Sequence, residues 1–167
     1  IWNTVRTSTE IVENMNKQLD GNETGLVAYY NFDERVGDTV YDITQNSYNG
    51  SVEGNVTRLN FLGDNLKFDG VDDVVNLGNI DLTSEANLTL SAWIQPYSFT
   101  SNMTITGKNE NSIMEVIEED GLGTINFSFG NEGCQSDAIL EANKHYYVTS
   151  VFDDEQDIVK IYIDGTL

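Results

Sequence analysis

Two runs of alternating apolar and polar residues stand in the middle of the chain and join through an acidic turn and a polar connector. Successive side chains of a β-strand point to opposite faces, so each run predicts a strand with one buried face. The apolar members are Leu66, Phe68, Val75 and Leu77 in the first run, and Leu88, Leu90, Ala92 and Ile94 in the second.

Short apolar runs recur along the rest of the chain, separated by pairs that favour turns. The pairs are Asn49-Gly50, Glu53-Gly54, Asp69-Gly70, Asp120-Gly121 and Asp164-Gly165. Strands are predicted at 26–32, 65–68, 74–77, 88–94, 103–106, 113–117, 124–129, 146–152 and 159–163. Many short strands without intervening helices predict an all-β fold, an antiparallel two-sheet β-sandwich or jelly roll.

The first twenty-odd residues follow a different pattern. Residues 1–5 resemble a strand, and Thr7 with Glu10 forms a capping box that predicts the start of one short helix. Ile11, Met15 and Leu19 are spaced by one helical turn, and Gly21 is predicted to end the helix.

Composition narrows the classes of function. Eight Lys and Arg against twenty-eight Asp and Glu give a formal charge of −20, which repels nucleic acid and anionic membranes. Cys134 is the only cysteine, so neither an intrachain disulfide nor a zinc site is predicted. The sequence has no apolar run of the roughly 20 residues that a membrane-spanning helix needs, so no membrane insertion is expected.

Several ordered motifs resemble the laminin-G-like module, a concanavalin A-like jelly roll. They are GLVAYYNFDE (25–34), GDTVYD with NSYNGSV (37–52), LKFDGVDDVVNLG (66–78), LTLSAWIQP (88–96) and HYYVTSVFDD with VKIYIDGTL (145–167). The resemblance covers residues 25–167 and implies the same two-sheet antiparallel sandwich.

The resemblance also suggests how the chain is organised. Residues 1–24 look like the closing strand, helix and linker of a preceding repeat, and residues 25–167 like a domain truncated at its C-terminus. Neighbouring repeats of the same chain would then be partners. The alternative is a permuted single domain in which residues 1–5 take the place of the closing strand.

Related folds include glycoside hydrolases, which flank the sugar bond with two carboxylates. Catalysis of this kind would therefore require a suitable pair of carboxylates in this sequence. Glu115 and Glu119 would share a strand face, whereas Glu118 points the opposite way, and the hydrolase pattern Glu-x-Asp-x-x-Glu is absent. The chain is therefore predicted not to be an enzyme.

Calcium is the predicted cofactor, in a structural role. It prefers six to eight oxygen ligands, which Asp69, Asp72 and Asp73 could supply in part, supplemented by Asp33 or Asp42. Related modules often hold one such ion at a sandwich edge. The alternative is that Asp69 and Asp73 only stabilise the Asp-Gly turn.

Two tryptophans and a set of glycosylation patterns remain. Trp2 and Trp93 are predicted as core aromatics, with exposure for sugar stacking as the alternative. The positions at which Asn-x-Ser/Thr occurs include Asn22, Asn55, Asn87, Asn102 and Asn126. The strand position of Asn126 favours a compositional origin over a glycan acceptor.

Together these features predict a non-catalytic, extracellular module of a secreted or cell-surface protein that binds a glycan or an extracellular protein. One alternative is a structural spacer repeat of an adhesin. The other is an accessory binding domain of a polysaccharide-degrading enzyme.

Overall fold

A computed structural model describes residues 1–59, 65–81, 87–109 and 112–167. Residues 82–86 of the polar connector therefore lie outside the described residues. The described chain contains one helix, α1 (Ser8–Met15). Its strands are β1 (Thr39–Val40), β2 (Gly50–Glu53), β3 (Thr57–Leu59), β4 (Asn65–Lys67), β5 (Val74–Asn76), β6 (Asn87–Ile94), β7 (Met103–Asn109), β8 (Ser112–Glu119), β9 (Leu122–Phe129), β10 (Glu132–Gln135), β11 (Tyr146–Asp153) and β12 (Ile158–Ile163).

The start of helix α1 is the predicted one. The Thr7 hydroxyl accepts a hydrogen bond from the Glu10 backbone N–H at 3.3 Å, and the Glu10 carboxylate accepts one from the Thr7 N–H at 2.8 Å. This reciprocal capping box satisfies two backbone donors that the first helical turn leaves unpaired.

The predicted end of the helix at Gly21 is wrong, because α1 stops at Met15. The Glu23 carboxylate instead accepts hydrogen bonds from the backbone N–H groups of Asp20 and Gly21, at 2.8 and 2.9 Å, and holds a separate turn. Gly21 allows its backbone to lie close to that of Ile43, because a Cβ at position 21 would be 2.6 Å from the Ile43 backbone oxygen.

The chain divides into two compact units. The first comprises residue 1 and residues 18–84, and the second comprises residues 2–17 and 85–167. In the second unit, one antiparallel sheet has the strand order β10-β9-β8-β7 and another has the order β12-β11-β6. Strands β9 and β10 of the first sheet contact β11 and β12 of the second, which confirms the predicted two-sheet sandwich.

The core of this sandwich lies between the two sheets. Phe129 and Phe152, one from each sheet, bring their ring centroids to 4.8 Å. Alternate residues on facing strands are almost fully buried, and they include Leu88, Leu90, Met114, Val116, Ile125, Phe127 and Val148. The predicted alternation at Leu88 and Leu90 is therefore confirmed.

Helix α1 packs on the outer face of the β12-β11-β6 sheet. Ile11 is 4% exposed and contacts Val151 and Tyr162. The preceding residues continue along the same sheet, where Trp2 and Thr89 exchange two backbone hydrogen bonds of 2.8 and 2.9 Å. The assignment of residues 1–24 to a preceding repeat stays a prediction.

The first unit contains the sheet β1-β2-β5 and the strand pair β3-β4. The prediction of a turn at Asn49-Gly50 is wrong, because Gly50 lies in β2 and pairs with Val40. A Cβ on Gly50 would lie 2.7 Å from Val40 Cγ2, so the glycine permits close packing within the sheet. Phe68 of the first alternating run is 44% exposed, contrary to its predicted burial.

The strand predicted at 26–32 is also absent as a regular element. Its backbone N–H groups find other acceptors: Val27 donates to the carbonyl of Ile1 at 2.9 Å, and Tyr29 donates to the Asp42 carboxylate at 3.0 Å. A buried side chain thus takes the place of a neighbouring strand.

Candidate functional site

Three of the predicted cation ligands come together in the first unit. One carboxylate oxygen from each of Asp69, Asp72 and Asp73 lies within 4.8 Å of the others. Gly54 makes room for this arrangement, because a Cβ there would stand 2.5 Å from Asp73 Oδ1. The turn after β2 therefore packs directly against the acidic turn.

Hydrogen bonds already stabilise this turn. Asp73 accepts from the backbone N–H of Asn55 at 2.5 Å through Oδ1 and from that of Asp69 at 2.8 Å through Oδ2. Asp69 Oδ1 accepts from the Val71 N–H at 2.8 Å. Asp69 and Asp73 therefore stabilise the Asp-Gly turn, as the alternative to a cation site predicts.

The donor set fits a hard cation in part. The three carboxylates offer the oxygen chemistry that calcium prefers, and Asp69 and Asp72 are exposed while Asp73 is half-buried. Three residues supply fewer than the six to eight oxygens of a typical calcium site, so carbonyl groups and water would complete the coordination.

The structure does not bring Asp33 into this group. The Asp33 carboxylate accepts a hydrogen bond from the side-chain amide of Asn31 at 2.9 Å. Its inclusion among the ligands has no geometric support in the part of the chain that the structure describes.

Asp42, the other suggested supplement, is buried and has its own hydrogen-bonding partners. Its Oδ1 accepts from the N–H groups of Tyr29 and Thr44 at 3.0 and 2.9 Å, and its Oδ2 accepts from the Thr44 hydroxyl and the Tyr48 N–H at 2.7 and 3.0 Å. Burial raises the pKa of Asp42, but these hydrogen bonds outweigh burial and hold that pKa below its ordinary value. Asp42 organises loops and is not placed to bind a ligand.

A second candidate surface lies on the outer face of the β10-β9-β8-β7 sheet. The strand register places Thr104 opposite Glu115, Glu115 opposite Asn126, and Asn126 opposite Gln135. These four residues, called the polar row below, therefore cross all four strands on one face. With neighbouring strands about 4.8 Å apart, the row is about 14 Å long.

The polar row is accessible to solvent. Thr104 and Gln135 are exposed at its two ends, and Glu115 and Asn126 are half-buried between them. The Asn126 side-chain amide donates to Glu115 Oε1 at 3.2 Å, which fixes the orientation of both groups. Helix α1 packs on the other sheet of this unit.

The family model described as the concanavalin A-like lectin/glucanases superfamily, a laminin G model, matches residues 69–167, more than half of the chain. The chain belongs to this superfamily. The match includes the acidic turn and all the strands of the sandwich unit. Searches of the curated proteins and of the solved structures returned no match.

Membership of the lectin/glucanase superfamily indicates a carbohydrate- or protein-binding module. No helix among the described residues has the length and apolar character that crossing a lipid bilayer requires.

The two tryptophans of this superfamily member differ in environment. Trp2 is 5% exposed, as predicted for a core residue. Trp93 is 50% exposed, so its predicted burial is wrong. It lies on the outer face of β6, where its indole N–H donates to the Met15 carbonyl at 2.8 Å and its ring contacts Tyr147 at 5.3 Å.

Sequence reasoning found the acidic turn but missed the polar row. The signal for the acidic turn is local, because all three aspartates lie within five residues. The row depends on the register of four strands, including β10, whose four residues show no alternating pattern. The alternating polar positions of β8 and of β9 indicate which face of each strand is solvated. They do not indicate which residues of neighbouring strands lie opposite one another.

Proposed function

We propose that this chain is a non-catalytic, extracellular carbohydrate-binding module of a secreted or cell-surface protein. The observation that carries the proposal is the accessible polar face of the sandwich unit, opposite a sheet whose outer face helix α1 covers. Binding sites for small polar ligands combine a rigid scaffold with a few placed hydrogen-bonding groups, and the polar row has this character.

The positions of the acidic residues support a non-catalytic role. Glycosidases flank the sugar bond with two carboxyl groups. Glu115 and Glu119 share the outer face of β8, whereas Glu118 pairs with Gly123 and belongs to the opposite face. The pattern Glu-x-Asp-x-x-Glu of the related hydrolases is absent from the sequence, which favours binding over hydrolysis.

We also propose that calcium binds at the acidic turn and stabilises it. Three carboxylates within 4.8 Å repel one another, and a divalent cation would remove that repulsion. Asp72 is the informative residue to change, because Asp69 and Asp73 also hold backbone groups of the turn.

A glycan array probed with the intact chain, once with calcium and once with chelator, tests both proposals. We expect binding to specific glycans, and a rise in the thermal unfolding midpoint on adding calcium that Asp72→Asn abolishes. Asp38→Asn, which removes an exposed carboxylate elsewhere in the same unit, is the matched control and should respond to calcium like the unmodified chain.

Each result has a distinct meaning. Glycan binding that survives chelation would support the binding module and confine calcium to stability. The absence of any glycan binding in both buffers would overturn the carbohydrate-binding proposal and favour a protein-binding module or the spacer repeat. Release of reducing sugar from a bound glycan would overturn the non-catalytic role.

A further inference from the structure

We infer that a cleft in the first unit binds the guanidinium group of an arginine side chain that belongs to a partner protein. Its lining includes Gly21, Asn22, Glu23, Thr44, Gln45 and Asn46. The cleft has a volume of about 220 Å³, smaller than the roughly 300–1,000 Å³ of a typical small-molecule pocket, so it suits a single side chain. It shares no residue with the polar row or the acidic turn, and the site does not depend on the proposed carbohydrate-binding function.

Hydrogen bonds hold the lining of the cleft in place before a ligand arrives. The Thr44 hydroxyl donates to Asp42 Oδ2 at 2.7 Å and accepts from the Asn46 backbone N–H at 3.3 Å. The Asn46 side-chain amide donates to the Val27 carbonyl at 2.8 Å. The Glu23 carboxylate fixes the turn that precedes it. A lining that is already ordered loses less conformational entropy on binding.

The hydrogen-bonding groups that these bonds leave available are mainly acceptors. Each Glu23 carboxylate oxygen accepts one backbone N–H, from Asp20 or Gly21, and has capacity for another donor. Asn46 Oδ1 has no partner among the described residues, whereas one of the two amide hydrogens of Asn46 is already used. The Thr44 hydroxyl hydrogen is used as well. The cleft therefore suits a ligand with several donors and no acceptor.

Two exposed amides extend this set of acceptors. The side chains of Asn22 and Gln45 form no hydrogen bond with any residue that the structure describes, so each can turn its oxygen toward a bound donor. A guanidinium group carries five donors in one plane and no acceptor, which matches several separated oxygens. A lysine ammonium has three donors and is more strongly hydrated, so arginine fits this cleft better.

Charge favours an arginine within a protein over the free amino acid. Glu23 is the only charged residue among the described residues that line the cleft, and the formal charge of −20 attracts cations over a long range. Free arginine brings its own carboxylate, which Glu23 and the negative chain would repel. An arginine inside a polypeptide lacks that carboxylate, and arginine is enriched at protein interfaces.

Titration of the isotope-labelled chain with the blocked peptide acetyl-Gly-Arg-Gly-amide, followed by NMR, tests this inference. We expect saturable shifts of the backbone amide signals of Asn22, Glu23 and Gln45. The lysine peptide acetyl-Gly-Lys-Gly-amide and free arginine should each bind several-fold more weakly, the first because of its hydration and the second because of its carboxylate.

Two variants should change the affinity in opposite directions. Glu23→Gln should weaken binding of the arginine peptide about tenfold, as expected when a hydrogen bond to a charged group is lost. Gln45→Glu leaves the turn at Glu23 untouched, adds a carboxylate to the lining and should strengthen binding about threefold.

Asp38→Asn is the matched control, because it removes an exposed carboxylate of the same unit outside the cleft, and its affinity should stay within about twofold of that of the unmodified chain. Glu23→Gln keeps one acceptor oxygen for the turn, so an unchanged unfolding midpoint would show that its fold is intact.

Several outcomes would overturn the site. They are the absence of saturable shifts at the three amides, and an unchanged affinity in Glu23→Gln or in Gln45→Glu. Equal binding of the arginine and lysine peptides that disappears at about 150 mM NaCl would show general attraction to the negative chain. Tighter binding of free arginine than of the peptide would overturn the assignment to a partner protein. Glycan binding is measured separately on the array, so failure here leaves the proposed function standing.

Discussion

At the residue scale, Asp42 makes several contacts that the sequence does not predict. The sequence presents it as one aspartate among many and as a candidate cation ligand. In the structure its carboxylate accepts four hydrogen bonds from Tyr29, Thr44 and Tyr48. Thr44 and Tyr48 follow Asp42 in the same loop, whereas Tyr29 belongs to an earlier segment, and no local pattern predicts that one carboxylate will accept from both segments.

Replacing Asp42 should make the stability of the chain less dependent on pH. Its pKa in the folded chain lies below the ordinary value of 3.8, so its contribution is fully present above that value and is lost as pH falls through the lower, folded pKa. We expect Asp42→Ala to cost about 3 kcal/mol of unfolding free energy at pH 7, because buried backbone donors lose their acceptor.

Urea unfolding at pH 7, 5, 4 and 3 measures this effect. Asp42→Asn keeps one acceptor oxygen, and the difference in unfolding free energy between it and the unmodified chain should shrink as pH falls toward 3. Asp38→Asn serves again as the exposed control. A difference that stays constant across the whole pH range would contradict the role given to the Asp42 charge.

At the element scale, the clearest predictions came from patterns that a single element completes by itself. The capping box at Thr7 fixed the start of α1, and the Asp-Gly pairs at 120–121 and 164–165 adopt positive φ at both residues, from 52° to 78°, as type I′ hairpins require. Strands β1, β2, β3 and β10 were missed because they are short and, unlike the equally short β4 and β5, do not belong to a longer run of alternating apolar residues. Their pairing depends on distant partners.

The packing of α1 on the β12-β11-β6 sheet makes a prediction about the helix. Ile11→Ala should lower the unfolding free energy by about 2–3 kcal/mol, because Ile11 is 4% exposed against Val151 and Tyr162. Glu13→Ala, an exposed change in the same helix, should be nearly neutral. Chemical unfolding of both variants measures these changes in unfolding free energy. Equal losses in the two variants would show that α1 does not pack on the sheet in solution.

At the scale of the whole molecule, charge is the property that the sequence gives without any structure. A formal charge of −20 destabilises the compact state through self-repulsion. Raising NaCl from 10 to 150 mM shortens the screening length from about 30 to about 8 Å. We expect the thermal unfolding midpoint to rise by about 3 °C if screening contributes about 1 kcal/mol.

Chelator must be present throughout this measurement, so that calcium at the acidic turn does not contribute. Choline chloride at the same ionic strength is the control, because its large cation cannot enter an oxygen site. A midpoint that rises with NaCl but not with choline chloride would show specific cation binding and contradict general screening.

The place of Asn126 at the centre of the polar row has a practical consequence for producing the protein. Residues 126–128 read Asn-Phe-Ser, and enzymes of a eukaryotic secretory pathway attach oligosaccharides to this pattern through the same amide nitrogen that contacts Glu115. Material modified there would carry a covalently bound oligosaccharide on the outer face of β9, and that oligosaccharide would block access to the polar row. A bacterial expression host avoids this self-blocked form.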